Sequence, residues 1–216
     1  MSIFKLNLQS INMNDLDFRI AIVKEKRTRA IESKTSFKSG KYSLEKNPPI
    51  AIDEVIEIEN QYDIKFPAEY RAFITTIANG GFGLLSLQNS LLYWDGVEQE
   101  KKPNKDFLEI PFPHTFAYNP LDDPYILELG EKCDRGEITD KEFRKICNYL
   151  TAGTITISLE GCGYSSFMVI TGETRGQVWF NADGGSGGYI PLNLSFLDWY
   201  EEWLDELFID KYSHFK

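Results

Sequence analysis

Histidine, cysteine and long apolar runs are all scarce in this chain, and each scarcity removes a class of function. Only His114 and His214 are present, far apart in sequence, so there is no HExxH helix and no histidine-rich metal spacing. Cys133, Cys147 and Cys162 are an odd number with no CxxC pair. They suggest neither a disulfide framework nor a zinc site and read as free thiols packed like small hydrophobes. No run approaches the roughly 18 apolar residues needed to span a bilayer. The opening MSIFKLNLQS lacks the basic flank, apolar stretch and small-residue cleavage site of a secretory signal. The expected protein is soluble and cytoplasmic, with no metal, no cofactor and no membrane partner.

Catalytic devices are missing too. There is no GxSxG, and Cys162, flanked by glycines, is a nucleophile candidate without a base beside it in sequence. ADGGSGGY (Ala182 to Tyr189) lacks the lysine and hydroxyl of a phosphate loop and reads as a plain glycine-rich loop. Glu131 to Glu142 has Gly136 and Glu142 where a calcium loop has them, but Cys133 and Arg135 stand where oxygen ligands are required. Acidic pairs such as Asp122-Asp123 and Glu201-Glu202 read as helix cap and helix surface. The hydrolase alternative needs two carboxylates facing each other across a cleft, which only a structure reveals. No enzyme is expected.

What the chain does have is aromatic mass and acidity. With 15 Phe, 11 Tyr and 4 Trp, and 42% of residues apolar, a sizeable core is assured. Each buried aromatic ring removes about 150–250 Å² from water, an upper bound of roughly 4–6 kcal/mol. Tryptophans at helical spacing are therefore read as core rather than as a ligand cage. Net charge is −10, unevenly spread. Residues 1–46 hold ten Lys/Arg against five Asp/Glu, whereas 47–216 hold 13 against 28. An acidic body repels nucleic acid and attracts basic partners.

Periodicity places the elements. Asn14 to Ile31 is a helix candidate with Leu16, Ile20 and Val23 on one stripe, and its basic run Lys24 to Arg29 reads as a solvated face. Lys34 to Pro49 looks like a linker. We therefore expect a loosely defined N-terminal arm over 1–46 and a domain over 47–216. Ala51, Val55, Ile58 and Tyr62 line one face of a helix; Pro67 opens a second, with Tyr70, Phe73, Ile74 and Ile77 as its stripe and Asn79-Gly80-Gly81 as its stop. Phe82 to Trp94 suggests one or two short strands, Asp95 to Asp106 an exposed charged stretch, and Phe107 to Phe112 another strand. A helical pair is expected at about 122–150, started by Asp122-Asp123-Pro124 and carrying a capping box at Thr139 to Glu142. Thr154 to Leu159 alternates as a half-buried strand. Tyr164 to Thr171 and Gln177 to Phe180 form a hairpin around Gly172 and Gly176, and Ser195 caps a last helix with Phe196, Trp199, Tyr200, Trp203 and Leu204 inward.

YDIKFPAEYRAFITTIANGG (Tyr62 to Gly81) resembles the opening motif of the SUKH superfamily, an x-LP-x-x-Y-x-x-F turn between helices followed by NGG, with Phe66 where leucine is usual. Later segments, GCGY (Gly161 to Tyr164), VITGETRGQVW (Val169 to Trp179), Asp183 and SFLDWYEEWL (Ser195 to Leu204), are similar to the later family pattern over about Ile50 to Leu207. That superfamily joins fungal regulators of cell-wall glucan synthesis to bacterial immunity proteins. The resemblance implies an α+β fold: one domain with a curved, mostly antiparallel sheet packed by helices. It also implies a mainly scaffolding role for Pro67, Tyr70, Phe73, Gly80, Gly81, Gly161, Gly163, Tyr164, Gly172, Gly176, Trp179, Trp199 and Trp203. The implied activity is non-enzymatic neutralisation of a cognate toxin, a nuclease among the candidates. The alternative is a regulatory scaffold that binds client proteins. Tyr93, Trp94, Asp95, Glu98, Glu160 and Asp183 fall in expected loops or strand ends, where binding residues concentrate, and are the candidate partner contacts.

Overall fold

The computed structural model describes residues 13–33, 47–94, 97–98, 105–182 and 187–207. Its centre is an antiparallel sheet of β3 (Thr154–Gly161), β4 (Tyr164–Val169), β5 (Gln177–Asn181) and β6 (Tyr189–Ser195), in that spatial order. Register assigns two faces. Ile155 opposes Met168, which opposes Val178; Thr156 opposes Phe167, which opposes Trp179. Because side chains alternate along a strand, these two rows point to opposite sides. Both sides are covered. The first belongs to the main core beneath α2 (Ile52–Tyr62), α3 (Ala68–Thr76) and α8 (Phe196–Glu206). Phe167, Val169, Trp179 and Tyr189 form a second cluster with Phe112, against which Tyr118 and Leu150 pack. The sheet is thus sandwiched in an α+β architecture, with β4 buried along almost its whole length.

The α2–α3 connection is built on a buried charge. Glu59, on the stripe with Val55 and Tyr62, is 1% exposed. Its carboxylate accepts the Phe66 N–H at 3.0 Å and the Lys65 ammonium at 3.1 Å, which offsets its desolvation and fixes the turn into Pro67. Glu59→Ala is expected to lower stability by roughly 2 kcal/mol, because the Phe66 N–H loses its acceptor in a dry site; Glu59→Gln, which keeps an acceptor, costs less. Urea midpoints of the two variants check the order.

Glu69 does the same for α8. One carboxylate oxygen accepts the Leu197 N–H at 3.0 Å, satisfying a first-turn donor, and the other accepts Arg19 at 2.7 Å. Ser195 completes the cap through the Asp198 N–H.

Arg19 lies on α1 (Met13–Ser33), which packs along α8. Ile20, Val23 and Ala30 are buried in the main core. The basic run differs here from the solvated face its sequence suggests. Lys26 pairs with Glu201 and Asp205 at 2.7 and 2.8 Å. Arg27 is buried, donating to the Tyr200 hydroxyl and the Gly80 carbonyl while lying over the Phe82 ring. Burial pushes the Tyr200 hydroxyl up to about 12, so it stays a donor to the Phe82 carbonyl.

Two local expectations need correction. Phe107–Phe112 is not a strand: α5 (Lys105–Glu109) buries Phe107 and Leu108 side by side and carries a Lys105–Glu109 pair one turn apart. Phe82–Trp94 ends in one short strand, β1 (Tyr93–Trp94), but also carries an unexpected single-turn helix, α4 (Leu87–Ser90), capped by Ser86. β6 is a strand that the sequence leaves unassigned, beyond the glycine-rich loop read over Ala182 to Tyr189. It interrupts clean alternation with Pro191 and with Asn193 at φ 58, both tolerated because it is an edge strand with a bulge opposite Val178 and Trp179. The linker, apart from Asn47 to Pro49, lies outside the described residues, as does most of Asp95 to Asp106.

Candidate protein-binding surface

Of the expected contact residues, the backbone of Tyr93, Trp94 and Glu98 lies in a small hairpin against β3, and Glu160 lies near the end of β3. Asn79 organises the approach: its Oδ1 accepts the Leu87 N–H at 2.8 Å and its Nδ2 donates to Gln88. Gly81 and Leu84 bridge, and the Leu85 N–H then joins the Ile157 carbonyl on the β3 edge at 2.9 Å. Gly83 faces the Trp203 ring so closely that a Cβ would stand 2.8 Å from it. This delivers the chain to a small hairpin of β1 with β2 (Val97–Glu98), in which Tyr93 opposes Glu98 and Trp94 opposes Val97, and β1 lies against β3.

Glu160 sits near the end of β3, half-buried, and accepts the Ser166 hydroxyl at 3.3 Å. The turn beyond it, Gly161-Cys162-Gly163, is left-handed at all three residues (φ 85, 54 and 83). Leu159, Ser165, Asn181 and Tyr189 align across the sheet, so Glu160 and the start of the 182–188 connection share one sheet end. Asp95 and Asp183 lie outside the described residues, and the side chains of Tyr93, Trp94 and Glu98 do as well.

The motif positions are placed as follows. Pro67 precedes the first turn of α3; Tyr70 and Phe73 are buried beneath Phe196, ring edges against its face at 5.1 and 5.2 Å. Trp179 is fully buried, Trp199 is nearly so, and Trp203 stacks on Tyr200 at 5.5 Å. Tyr164 stacks on Phe180. Gly80, Gly81, Gly161, Gly163, Gly172 and Gly176 all adopt positive φ.

Sequence reading missed a second polar constellation on the far face. His114 stacks on Tyr118 at 4.1 Å, with its Nε2 3.0 Å from the Leu150 carbonyl, and the Tyr118 hydroxyl donates to Asp123 at 2.7 Å. Asp123 caps α6 (Pro124–Asp134), and its hydrogen bonds hold its carboxyl below the usual range. Burial holds the His114 imidazole below the ordinary histidine value, against the pull of the Leu150 carbonyl and Asp123. A histidine kept neutral in the fold contributes stability that is complete above the unfolded value of about 6.5 and is lost as pH falls below it. We therefore expect the urea midpoint to drop between pH 7.5 and 5.5, with a smaller drop in His114→Gln. Equal drops in the two proteins would remove His114 from the account.

Also unanticipated is an open groove of about 370 Å³ between α6 and α7 (Asp140–Asn148), lined by Leu121, Leu127, Phe143 and Asp134 among others. α7 starts with the expected capping box, Thr139 and Glu142 exchanging bonds. Among the described residues no three His, Cys, Asp or Glu side chains converge to hold a metal, and no helix is long and apolar enough to cross a membrane.

Comparison with known proteins gives one result. The model of the SMI1 / KNR4 family (SUKH-1) matches residues 49–202. No curated protein and no solved structure matches the chain.

Proposed function

The chain belongs to the SMI1 / KNR4 family (SUKH-1), whose members interact with proteins and include immunity proteins and regulators; from this premise we propose that it is a non-enzymatic immunity protein that binds and blocks a bacterial toxin. The family match over 49–202 carries this reading, and the acidity of the same body supports it. A basic toxin domain, such as a nuclease, is steered to an acidic surface by complementary potential, and its active site is shut by what then docks there. Contact runs through Tyr93, Trp94, Asp95, Glu98, Glu160 and Asp183.

The test is affinity for the toxin domain encoded beside this chain, titrated with salt. A 1:1 complex that weakens as ionic strength rises supports the reading. Glu98→Lys combined with Glu160→Lys should weaken that complex by at least about tenfold, since each reversal sets like charges against each other. Affinity unchanged by salt and by both reversals would remove the electrostatic part. Absence of a toxin neighbour, with several client proteins co-purifying instead, would favour the regulatory-scaffold branch of the family.

A further inference from the structure

We propose that the groove between α6 and α7 docks a basic helical segment of a protein partner, anchored by that segment's leucine-like side chains. The inference rests on the protein-binding reading above and adds to it a second surface and the chemistry of what fits there.

Three observations carry it. First, the helical pair is packed on one side only. Ile126 and Leu129 of α6 are buried, but no residue of α7 is, and its apolar stripe of Phe143, Ile146 and Cys147 is only half-covered. Phe143 reaches α6 beside Gly130, where an added Cβ would stand 3.9 Å from the ring tip, and concavities open on either side of that contact. Second, Leu121 and Leu127 line this groove while 51% and 48% exposed. A single exposed leucine is ordinary, but two facing one concavity form the apolar floor of a contact site. Third, the polar half of the groove is acidic. Glu131 and Asp134 line it beside Leu121 and Leu127, Asp134 and Asp140 line the adjoining concavity with Arg144, and Glu131 pairs with Arg135 at 3.4 Å. These three carboxylates are exposed.

Apolar floor and carboxylate wall together select the occupant. An acidic segment or a nucleic acid meets repulsion from the wall. A purely apolar segment gains nothing from the carboxylates. A basic amphipathic helix satisfies both, with its anchors at i, i+3, i+4 and i+7 in the floor and its lysines or arginines along the wall.

The probe is a fluorescein-labelled peptide with leucine at those positions and lysine elsewhere, titrated against the full chain by anisotropy. Its counterpart carries glutamate for lysine. Binding of the lysine peptide should weaken by about tenfold or more in Leu127→Asp and, separately, in the double variant Glu131→Lys/Asp134→Lys, with no binding of the glutamate peptide. All three positions are exposed, so thermal melts matching the parent establish that the variants are folded. Equal affinity of the parent and both variants, or equal binding of the two peptides, overturns the proposal. The toxin reading is judged apart from it. A chain that binds the peptide through the groove yet protects no host sinks the toxin reading and leaves the groove. One that protects the host while binding the peptide independently of these residues does the reverse.

Discussion

Gly153→Ala is expected to lower stability by on the order of 4 kcal/mol, near the upper end for a single substitution. Gly153 joins the far-face segment to the start of β3 at φ 72, where an L side chain is already strained. A Cβ there would stand 2.5 Å from the Ile110 carbonyl oxygen, 2.6 Å from that of Thr171 and 2.7 Å from the Phe112 nitrogen. All three are backbone atoms in a tight weave: the Gly153 N–H donates to Phe107, its carbonyl accepts from Ile170 and Thr171, and the Phe112 N–H donates to Thr171. None can yield as a flexible side chain would. Gly136→Ala is the control, with similar φ and open space around it, and should cost about 1–2 kcal/mol from backbone strain alone. Equal urea midpoints for the two variants would mean that the weave relaxes.

A chain beginning at residue 47 is expected to lose at least as much. Removing α1 uncovers the surface that Ile20 and Val23 bury, each worth about 1.5–3 kcal/mol. It also takes Arg19 from Glu69, which caps α8, and Arg27 from Tyr200 and the Gly80 carbonyl. For a domain of this size the loss corresponds to a fall in Tm of at least about 8 °C. We therefore propose that residues 13–33 are part of the domain, although they lie outside the family match. An unchanged Tm would make them a separate arm.

The helices with clean apolar stripes were legible in the sequence because their periodicity and their stop signals agree. α2, α3 and α8 each pair a stripe with a cap or glycine, and the β4–β5 hairpin announces itself through Gly172 and Gly176. Legibility failed where tertiary partners overrule local pattern. α5 looks like a strand because Phe107 and Leu108 are adjacent, yet the two are buried on one short helix. β6 has the proline and left-handed asparagine of a loop, and is a strand only because β5 offers it a ladder. Arg27 reads as surface charge, since nothing nearby in sequence reveals that Tyr200, Phe82 and Gly80 surround it. Glu59 could have been found: a carboxylate at i+4 from Val55 and i−3 from Tyr62 sits on a buried stripe and must have donors. The groove between α6 and α7 had a weaker signal, since its leucines look like ordinary core positions until their exposure is known.

The measurement that tests the central claim most directly is survival of a host co-expressing this chain with the toxin domain encoded beside it. The account predicts that the intact chain restores growth and co-purifies with the toxin, and that Glu98→Lys/Glu160→Lys, folded but charge-reversed, does not. Death of the host despite abundant folded protein would contradict it.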